Sequence, residues 1–370
     1  MKKRVKTIQL SFLLVLVMVF SMFSAASVFA ETLRILTWEG YMPAEFQKKL
    51  ILLAKEKHGV DLKLEIKHIN GNDEFFPALR DKKADIITPS HNMPRDSRYR
   101  LIKHKLVLPL NLKNIPNYKN IEPALQKAAY CTEGDAVFAV PVARGPYGLV
   151  YNTAILKEAP KSWNILWDPR FKGKYSIGKY QYEENIFSIA LAMGVARDDI
   201  SNYKKLNTPE FQEKLAQFVA NAHGMWEGAD KPEDLKGLAL ATAWGDSLNG
   251  LKKMGEIWKM ADPKEGTTAW VDNFMISHTL EEKPKLKHIA EEWLNIVLSD
   301  EYQIYCIVRG KGVVPIITTI MDKLSPDEIE RFHLDDPTYF KNNRILWPTL
   351  EKADRRGLKR LWDKAMKTRK

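Results

Sequence analysis

Three short segments of this sequence combine an aromatic ring with a carboxylate, which suits them to binding a charged small molecule. In each of them a tryptophan stands within two residues of an acid. They are Trp38 with Glu39 and Tyr41, Trp244 with Asp246, and Trp270 with Asp272. Aromatic faces attract ammonium groups and pack against methylene chains. A carboxylate pairs a cationic charge that has left water. These segments therefore favour binding of an apolar chain that carries amino groups.

One segment also fits a hydrolase. Gly245-Asp246-Ser247-Leu248 matches the nucleophile block of one class of secreted esterases. That chemistry requires a histidine oriented by an acid, supplied in this class as Asp-x-x-His near the C-terminus. The nearest match here is Glu330 before His333. No Gly-x-Ser-x-Gly elbow occurs either, so a secreted GDSL-like esterase is retained only as an alternative hypothesis.

The sequence predicts neither a metal site nor a cofactor. The eight histidines form no His-x-x-His or His-x-x-x-His pair. The two cysteines, Cys131 and Cys306, lie 175 positions apart and belong to no ligand cluster. They could form a disulfide in an oxidising compartment or remain two buried thiols, and the sequence leaves both readings open.

The positive charge is concentrated at the two ends of the chain. Residues 1–30 contribute +4 and residues 352–370 contribute +7 of the net +11, so residues 31–351 are neutral. Nucleic-acid-binding proteins carry a basic face on the folded body. This distribution therefore argues against a nucleic-acid partner. The basic C-terminal segment is predicted to be a helix that docks through one apolar stripe.

The N-terminus reads as an export signal. Lys2, Lys3, Arg4 and Lys6 precede an apolar run from Leu10 to Phe23, and Val28-Phe29-Ala30 supplies a cleavage site. We therefore predict a signal peptide over residues 1–30, cleaved after Ala30, and a periplasmic or extracellular protein. The apolar run is short for a permanent membrane span.

Strands and helices alternate at the start of the remaining chain. The pattern predicts a strand from Leu33, a helix opened by Pro43, a strand over Leu62–Ile66, a short helix over Phe75–Leu79 and a strand over Ala84–Thr88. This order is typical of a parallel sheet in an α/β protein. Ligands of such sheets bind where the strands end, which here means the loops at Trp38 and Ser90.

The second half contains further strands and helices with no linker between them. Strands are predicted over 137–142 and 149–151, joined by a loop through Arg144-Gly145-Pro146, and over 174–177, 238–242 and 268–276. Helices are predicted over 185–193, 210–222, 289–298, 302–308 and 358–366. At 370 residues, with 45% apolar and 28% charged residues, the chain is long enough for two α/β lobes.

Several segments resemble the periplasmic polyamine-binding proteins (spermidine/putrescine type) of ABC importers. The segments that carry the resemblance are Thr37–Tyr41, Pro89-Ser90, Gly148–Asn152, Ser162-Trp163, Leu166–Lys174 and Thr268–Asn273. The Leu-Trp-Asp-Pro to Lys-Gly-Lys run is typical of the broad family of solute-binding proteins. The Trp-x-Asp pair at Trp270 and Asp272 is similar to the polyamine branch.

The resemblance implies a fold, a partner and a set of pocket residues. The implied fold is a type II-like, two-lobed α/β protein that closes like a Venus flytrap on a solute in the interlobe cleft. The family's crossovers give residues 31–139 and 269–311 as lobe 1, and residues 140–268 and 312–370 as lobe 2. The implied partner is the membrane permease of an ABC transporter, with the receptor itself a monomer and not an enzyme. The implied pocket positions are Trp38, Tyr41, Ser90, Trp244, Asp246, Trp270 and Asp272, to which the residues themselves add Glu39.

Two departures from the family's pattern bear on the ligand. Gly40 stands where the family has an acid before Tyr41, and Arg144 replaces an aromatic residue before the Gly148 strand. A guanidinium in the cleft would repel a polyamine and pair with a carboxylate or phosphonate. Beside a polyamine ligand we therefore consider an amine-bearing zwitterion of the γ-aminobutyrate or aminophosphonate class, with its amine on Asp272 and its anion on Arg144.

Overall fold

The computed structural model describes residues 29–336 and 338–369 as one α/β structure. The described residues form twelve strands: β1 (Phe29–Thr37), β2 (Val60–His68), β3 (Ile86–Ile87), β4 (Thr132–Glu133), β5 (Ala136–Val137), β6 (Ala139–Asn152), β7 (Tyr175–Gly178), β8 (Gly224–Trp226), β9 (Leu240–Ala243), β10 (Trp258–Met260), β11 (Thr267–Ile276) and β12 (Arg344–Leu346). Strand β1 begins with the last two residues of the predicted signal peptide. The rest of that peptide lies outside the described residues.

The α-helices are mostly short and fall between these strands. They are α1 (Ala44–His58), α2 (Phe75–Arg80), α3 (Tyr182–Ala192), α4 (Tyr203–Leu206), α5 (Pro209–Asn221), α6 (Pro232–Leu235), α7 (Leu248–Lys253), α8 (Pro284–Val297), α9 (Asp300–Tyr302), α10 (Pro326–Phe332), α11 (Tyr339–Asn343) and α12 (Lys352–Met366). Helix α9 continues as a π-helix over Gln303–Lys311. No helix of the described residues is both long and apolar enough to cross a membrane.

Single turns of 3-10 helix occupy many of the connections. They are Asn72–Glu74, Leu112–Asn114, Pro116–Asn120, Pro123–Leu125, Ala129–Cys131, Trp163–Trp167, Pro169–Phe171, Arg197–Asp199, His278–Leu280 and Met321–Lys323. Asp168, which precedes Pro169, accepts a hydrogen bond from the backbone N–H of Arg170 at 2.9 Å. This is the local Asx geometry that stabilises such turns.

The predicted parallel unit at the N-terminus is confirmed. Strand β1 pairs in parallel with β2 and with β3, which gives the order β2-β1-β3. Helix α1 follows β1 directly, with Pro43 at its N-cap and Gly59 in the left-handed conformation at its C-cap. Its apolar face, with Phe46 and Leu50, is buried in the core. The loops after β1 and β3 therefore emerge at the same edge of the sheet.

Strand β6 corrects one prediction. The loop predicted through Arg144-Gly145-Pro146 is instead the middle of one continuous strand. Gly145 lies opposite Trp270 of β11, and a Cβ atom there would come within 2.8 Å of the indole. The glycine thus permits a close approach of the ring rather than a turn.

The same strand joins the two halves of the sheet. From Ala139 to Tyr147 it pairs with β11, and from Gly148 to Tyr151 it pairs with β9. The full order is β2-β1-β3-β11-β6-β9-β7-β8. The change of partner falls several residues after the lobe boundary predicted at 139/140. The predicted lobe boundaries themselves remain predictions.

The basic C-terminal segment forms the predicted helix, six residues longer at its start. Helix α12 buries an apolar stripe that includes Leu358, Leu361 and Trp362, and it packs against α3, α4 and α5. Its Arg355 pairs with Glu183 of α3 and with Asp96, in the loop that follows β3. The helix therefore joins elements from both halves of the sheet.

Both cysteines are buried free thiols. The Sγ of Cys131 donates to the carbonyl of Ala128 at 3.2 Å, and the Sγ of Cys306 donates to that of Gly40 at 3.1 Å. Burial raises the pKa of each thiol to about 11, which keeps both protonated and unreactive at neutral pH.

Candidate functional site

A cavity of about 610 Å³ opens where the strands of both halves of the sheet end. Its wall carries nine acidic side chains, five basic side chains and nine aromatic rings. Eight of the nine residues that the sequence predicted for the site line it. They are Trp38, Glu39, Tyr41, Ser90, Trp244, Asp246, Trp270 and Asp272. A cavity of this size is in the usual range for a small-molecule site.

Asp272 is a buried carboxylate of this cavity, at 7% exposure. Its two oxygens accept hydrogen bonds from the Tyr41 hydroxyl at 2.8 Å and from the Ser90 hydroxyl at 2.9 Å. The pairing of β11 with β6 shifts register between Asp272 and Asn273. Such irregularities re-aim a side chain within a sheet. Burial raises the pKa of Asp272 to about 7, although the two hydroxyl donors and the nearby Lys311 oppose that rise.

Hydrogen bonds involving neutral side chains fix the loop that follows β1. The Trp38 indole N–H donates to the carbonyl of Thr88 at 2.9 Å, and its ring meets Phe75 edge-on. The Tyr302 hydroxyl donates to the carbonyl of Tyr41 at 2.8 Å. These contacts fix the Tyr41 hydroxyl against Asp272. Glu39 points outward with an exposed side chain, and only its backbone carbonyl takes part in the cavity network.

The second acid–aromatic pair lies on the turn that follows β9. A buried carboxylate that the sequence analysis did not identify, Asp230, organises this turn. It accepts from the backbone N–H of Trp244 at 2.7 Å and from that of Ser247 at 3.0 Å. Burial and the neighbouring Asp246 raise the pKa of Asp230. Nothing in the spacing of the sequence distinguishes Asp230 from an ordinary surface acid.

The serine of the esterase-like block, Gly245 to Leu248, has a structural role in this turn. Ser247 is fully buried, and its hydroxyl donates to Asp230 at 2.5 Å. His333, the histidine nearest to the required sequence pattern, stacks on Tyr339 and lies 3.6 Å from Asp262. Ser247 therefore serves the turn that presents Trp244 and Asp246.

Five tryptophans line the cavity, four of them outside the C-terminal helix that carries Trp362. The Trp244 ring meets Trp270 and Trp347 edge-on, at centroid distances of 6.4 and 5.7 Å, while Trp38 lines the other side. Trp347 follows β12 and was not predicted. The buried His91 holds its backbone, because the His91 Nε2 lies 3.1 Å from the Trp347 carbonyl. Within the described residues, the indole N–H groups of Trp270 and Trp347 are buried without a hydrogen-bond partner.

Lys311 is the most consequential cavity residue that sequence reasoning missed. It ends the π-helix and is followed by Gly312 with φ +71°. Its Nζ donates to the Glu39 carbonyl at 3.1 Å and lies 3.3 Å from Asp246 Oδ2. It also stands 5.1 Å from the centre of the Tyr41 ring. Burial opposes the charge of Lys311, but the attraction of Asp246 outweighs it and raises its pKa.

Glu184 is a further cavity carboxylate that the sequence analysis did not identify. It lies in the first turn of α3, next to Glu183, which pairs with Arg355 at 3.0 Å. Glu184 has no side-chain partner within the described part of the chain. Burial and the charge of Glu183 raise the pKa of Glu184 to about 8. From this first turn Glu184 lines the cavity.

Arg144 is not part of the cavity wall. Its guanidinium pairs with Glu122 at 2.6 Å and lies 4.4 Å from the centre of the Phe340 ring. Successive side chains of a strand point to opposite faces. Because Gly145 packs against the cavity-lining Trp270, Arg144 faces the opposite side of β6. The predicted anion-binding role of Arg144 therefore has no geometric support. Among the basic side chains of the cavity wall, Lys311 is the one that pairs with a predicted site carboxylate, Asp246.

The described residues contain one group that could hold a metal ion, His58 with His288 and Glu292, and it lies outside this cavity. Within the cavity, Asp272 accepts hydrogen bonds from hydroxyls and Asp246 pairs with an ammonium group. Asp96 and Glu183 pair with the guanidinium of Arg355.

The chain is similar to known solute-binding proteins. Residues 81–338 match the model of the family described as bacterial extracellular solute-binding protein. The spermidine/putrescine-binding periplasmic protein 1 of Haemophilus influenzae is 23% identical over 259 residues, which span 67% of this chain and 66% of that protein.

Solved structures share the fold. The spermidine/putrescine ABC transporter substrate-binding protein of Streptococcus pneumoniae superposes with a TM-score of 0.71 at 18% identity, covering 92% of this chain and all of that one. A structure described as a GABA receptor superposes with a TM-score of 0.65 at 14% identity, covering 90% and 98%. The fold is accordingly the expected two-lobed one of periplasmic binding proteins. With the family model covering most of its length, this chain belongs to the bacterial extracellular solute-binding protein family.

Proposed function

We propose that this protein is the exported receptor of an ABC importer, that it binds an amine of the polyamine class, and that it delivers this solute to the membrane permease. The observation that carries the proposal is Asp272. This carboxylate is buried at the cavity floor, held only by two neutral hydroxyls, and flanked by Trp270. A buried carboxylate in that state lacks the cation that would offset its desolvation. A ligand ammonium supplies it.

The rest of the wall favours the same ligand class. Nine acids against five bases leave the cavity with an excess of negative charge. The aromatic walls can pack on methylene groups, and a desolvated cation over an indole contributes about 0.5–2 kcal/mol. Glu184 offers a second carboxylate for a second ammonium. No covalent step is needed for this role, and we propose none.

Closure of the two lobes on the solute would complete the site. Asp272 belongs to the half of the sheet that contains β1, and Trp244 and Asp246 belong to the half that contains β9. Two ion pairs join these halves beside the cavity, Lys311 with Asp246 and Arg355 with Asp96. A solute that contacts both halves favours the closed arrangement by its differential affinity for it.

A zwitterionic amine is the second candidate, and Lys311 is the observation that favours it. Its ammonium group occupies the space beside Asp246 that a second ligand amine would otherwise take. Together with the unpartnered indole N–H groups of Trp270 and Trp347, it could hold an anionic end. In this arrangement Lys311 takes the role that the sequence analysis gave to Arg144.

The test is a titration of the exported protein with putrescine, spermidine, γ-aminobutyrate and 2-aminoethylphosphonate, followed by calorimetry and thermal melting. Ligand at 100 times its dissociation constant should stabilise the fold by about 2.7 kcal/mol. Binding of the two polyamines alone supports the first candidate, and binding of the two zwitterions alone supports the second.

Absence of any amine response would overturn both candidates. Hydrolysis of an ester substrate that is lost on Ser247→Ala would instead support the esterase alternative. Two further expectations accompany the proposal: mass spectrometry of the exported protein should find cleavage after Ala30, and sedimentation should find a monomer.

A further inference from the structure

A second cluster of ligand-type side chains lies at the far end of α1 from the cavity. His58 is the last residue of α1, while His288 and Glu292 are four residues apart on α8. That spacing places the two α8 side chains on one helical face. Helix α1 begins beside the cavity loop at Tyr41, and its fifteen residues span about 22 Å. The cluster is therefore remote from the solute site.

The three side chains converge on one point. The Nε2 atoms of His58 and His288 lie 3.5 and 4.0 Å from the same Glu292 Oε1. The two imidazole rings meet edge-on, with centroids 4.7 Å apart. All three ligand atoms lie within 4.8 Å of one another. Two ligands of a tetrahedral zinc ion, each about 2.05 Å from the metal, are about 3.3 Å apart. The two imidazole nitrogens thus lie within about 0.7 Å of that spacing from the Glu292 oxygen, and no pair of ligand atoms exceeds it by more than about 1.5 Å.

The hydrogen bonding and exposure of these side chains also suit metal ligands. The His58 Nε2 is buried and has no hydrogen-bond partner among the described residues. The His288 side chain is 41% exposed, which leaves one side open for water as a further ligand. The C-terminal end of α1 adds the negative end of its helix dipole.

One group competes with a cation here. The Lys57 Nζ lies 3.3 and 3.4 Å from the two Glu292 oxygens. Its side chain is 62% exposed, so it can swing into water when a metal arrives. Removal of this ammonium should therefore strengthen metal binding, which provides a gain-of-affinity test.

We propose that His58, His288 and Glu292 form a binding site for a divalent transition metal of the zinc class, separate from the solute cavity. The two imidazoles and the carboxylate match the ligand preferences of zinc. The bound ion joins the C-terminal end of α1 to α8. It stabilises that lobe by mass action without taking part in solute recognition.

The experiment titrates the exported protein, purified without a polyhistidine tag, with Zn²⁺ and separately with Co²⁺. Calorimetry should find one Zn²⁺ per chain, and Co²⁺ should give the visible absorption of a low-symmetry four- or five-coordinate site. His58→Ala and His288→Ala should each weaken Zn²⁺ by about 100-fold or more. The matched control is His104→Ala, which removes an exposed histidine outside the cluster and should leave the affinity unchanged.

Two further variants keep the result interpretable if an alanine variant folds poorly. Glu292→Gln should weaken Zn²⁺, and Lys57→Met should tighten it by several-fold. Absence of saturable Zn²⁺ binding, or equal affinity in the His58→Ala and His104→Ala proteins, would overturn the proposal. Since no variant touches the solute cavity, a failure here is separate from a failure of the proposed function.

Discussion

Two carboxylates face the same cavity from opposite halves of the sheet, and their surroundings differ. Asp272 accepts hydrogen bonds from two neutral hydroxyls, those of Tyr41 and Ser90. Asp246 instead lies 3.3 Å from the ammonium of Lys311, and its Oδ1 is buried without a hydrogen-bond partner in the part of the chain that the structure describes. Both follow a tryptophan by two residues, so the sequence pattern makes them look equivalent.

The difference shows that carboxylates in a binding cavity are not interchangeable. Hydroxyl donors orient Asp272 but leave its charge to be neutralised by something else. Lys311 already neutralises Asp246, so a ligand ammonium would gain little there. We therefore assign ammonium recognition mainly to Asp272 and expect Asp246 to act through the position of Lys311.

The largest expected effect comes from Asp272→Asn. Loss of the buried negative charge leaves the ligand ammonium without a partner, which typically costs about 3 kcal/mol or about 100-fold in affinity. Calorimetry with the best-bound amine measures this. The matched variant is Asp246→Asn, for which we expect a loss of less than about tenfold. Equal losses in the two variants would contradict the assignment.

The Asp272→Asn protein should remain folded. The raised pKa means that folding retains a proton on Asp272 that the unfolded chain releases between about pH 4 and pH 7. The carboxylate therefore lowers the free energy of unfolding as the pH rises through that window. Replacing it should leave the melting temperature at pH 8 equal or higher, which separates lost binding from lost structure.

The second effect separates the two ligand classes. Lys311→Met removes the ammonium beside Asp246 and frees that carboxylate. Polyamines should then bind about tenfold more tightly, because a second ammonium can pair with Asp246, whereas zwitterions should bind about tenfold more weakly. Parallel titrations with spermidine and γ-aminobutyrate measure both. Unchanged affinity for both would show that Lys311 takes no part in selectivity.

The third effect is a pH dependence of amine binding. An ammonium binds the ionised carboxylate, and burial raises the pKa of Asp272 in the empty cavity to about 7. The ionised fraction, and with it the affinity, should fall by about tenfold between pH 8 and pH 6. Calorimetry in buffers of different ionisation enthalpy should detect proton release on binding at pH 6. A profile flat across this range would show that Asp272 is already ionised without ligand, and affinity rising towards pH 6 would contradict its role as the ammonium acceptor.

The smallest effect is expected for Arg144→Ala. The Arg144 guanidinium pairs with Glu122 on the face of β6 away from the cavity. Affinities for spermidine and for γ-aminobutyrate should therefore change by less than about twofold. The melting temperature should fall, because the change leaves Glu122 without its partner. A large and selective loss of zwitterion binding would restore the original hypothesis for this residue.

Local patterns predicted most of the elements near the cavity. Alternating apolar residues and a proline at the N-cap gave β1, α1 and β2 within a few residues, since these signals come from the segment itself. The prediction of a loop through Gly145 was wrong because the role of this glycine depends on a distant part of the chain. Glycine and proline are usually read as turn residues, but here the glycine makes room for Trp270, which is 125 residues away in sequence.

The residues of the site likewise divide into those with a local sequence signal and those without one. The residue types at Trp38, Trp244, Trp270 and their neighbouring acids could be recognised because an aromatic ring beside a carboxylate is a local signal. Lys311, Asp230 and Trp347 carry no such signal. Their roles arise only when the π-helix, the buried turn and β12 are packed around the cavity.

What the sequence alone determined is the α/β order and the chemistry available to the ligand, because those depend on periodicity and residue type. The class of protein followed from the resemblance of its segments to a known family. What only the tertiary structure decided is which charge remains unneutralised. Arg144 is turned from the cavity by the alternation of β6, and Lys311 is brought into it from the end of the π-helix. Charge balance in a buried site depends on distances of a few ångströms between residues far apart in sequence, and no local pattern records those distances.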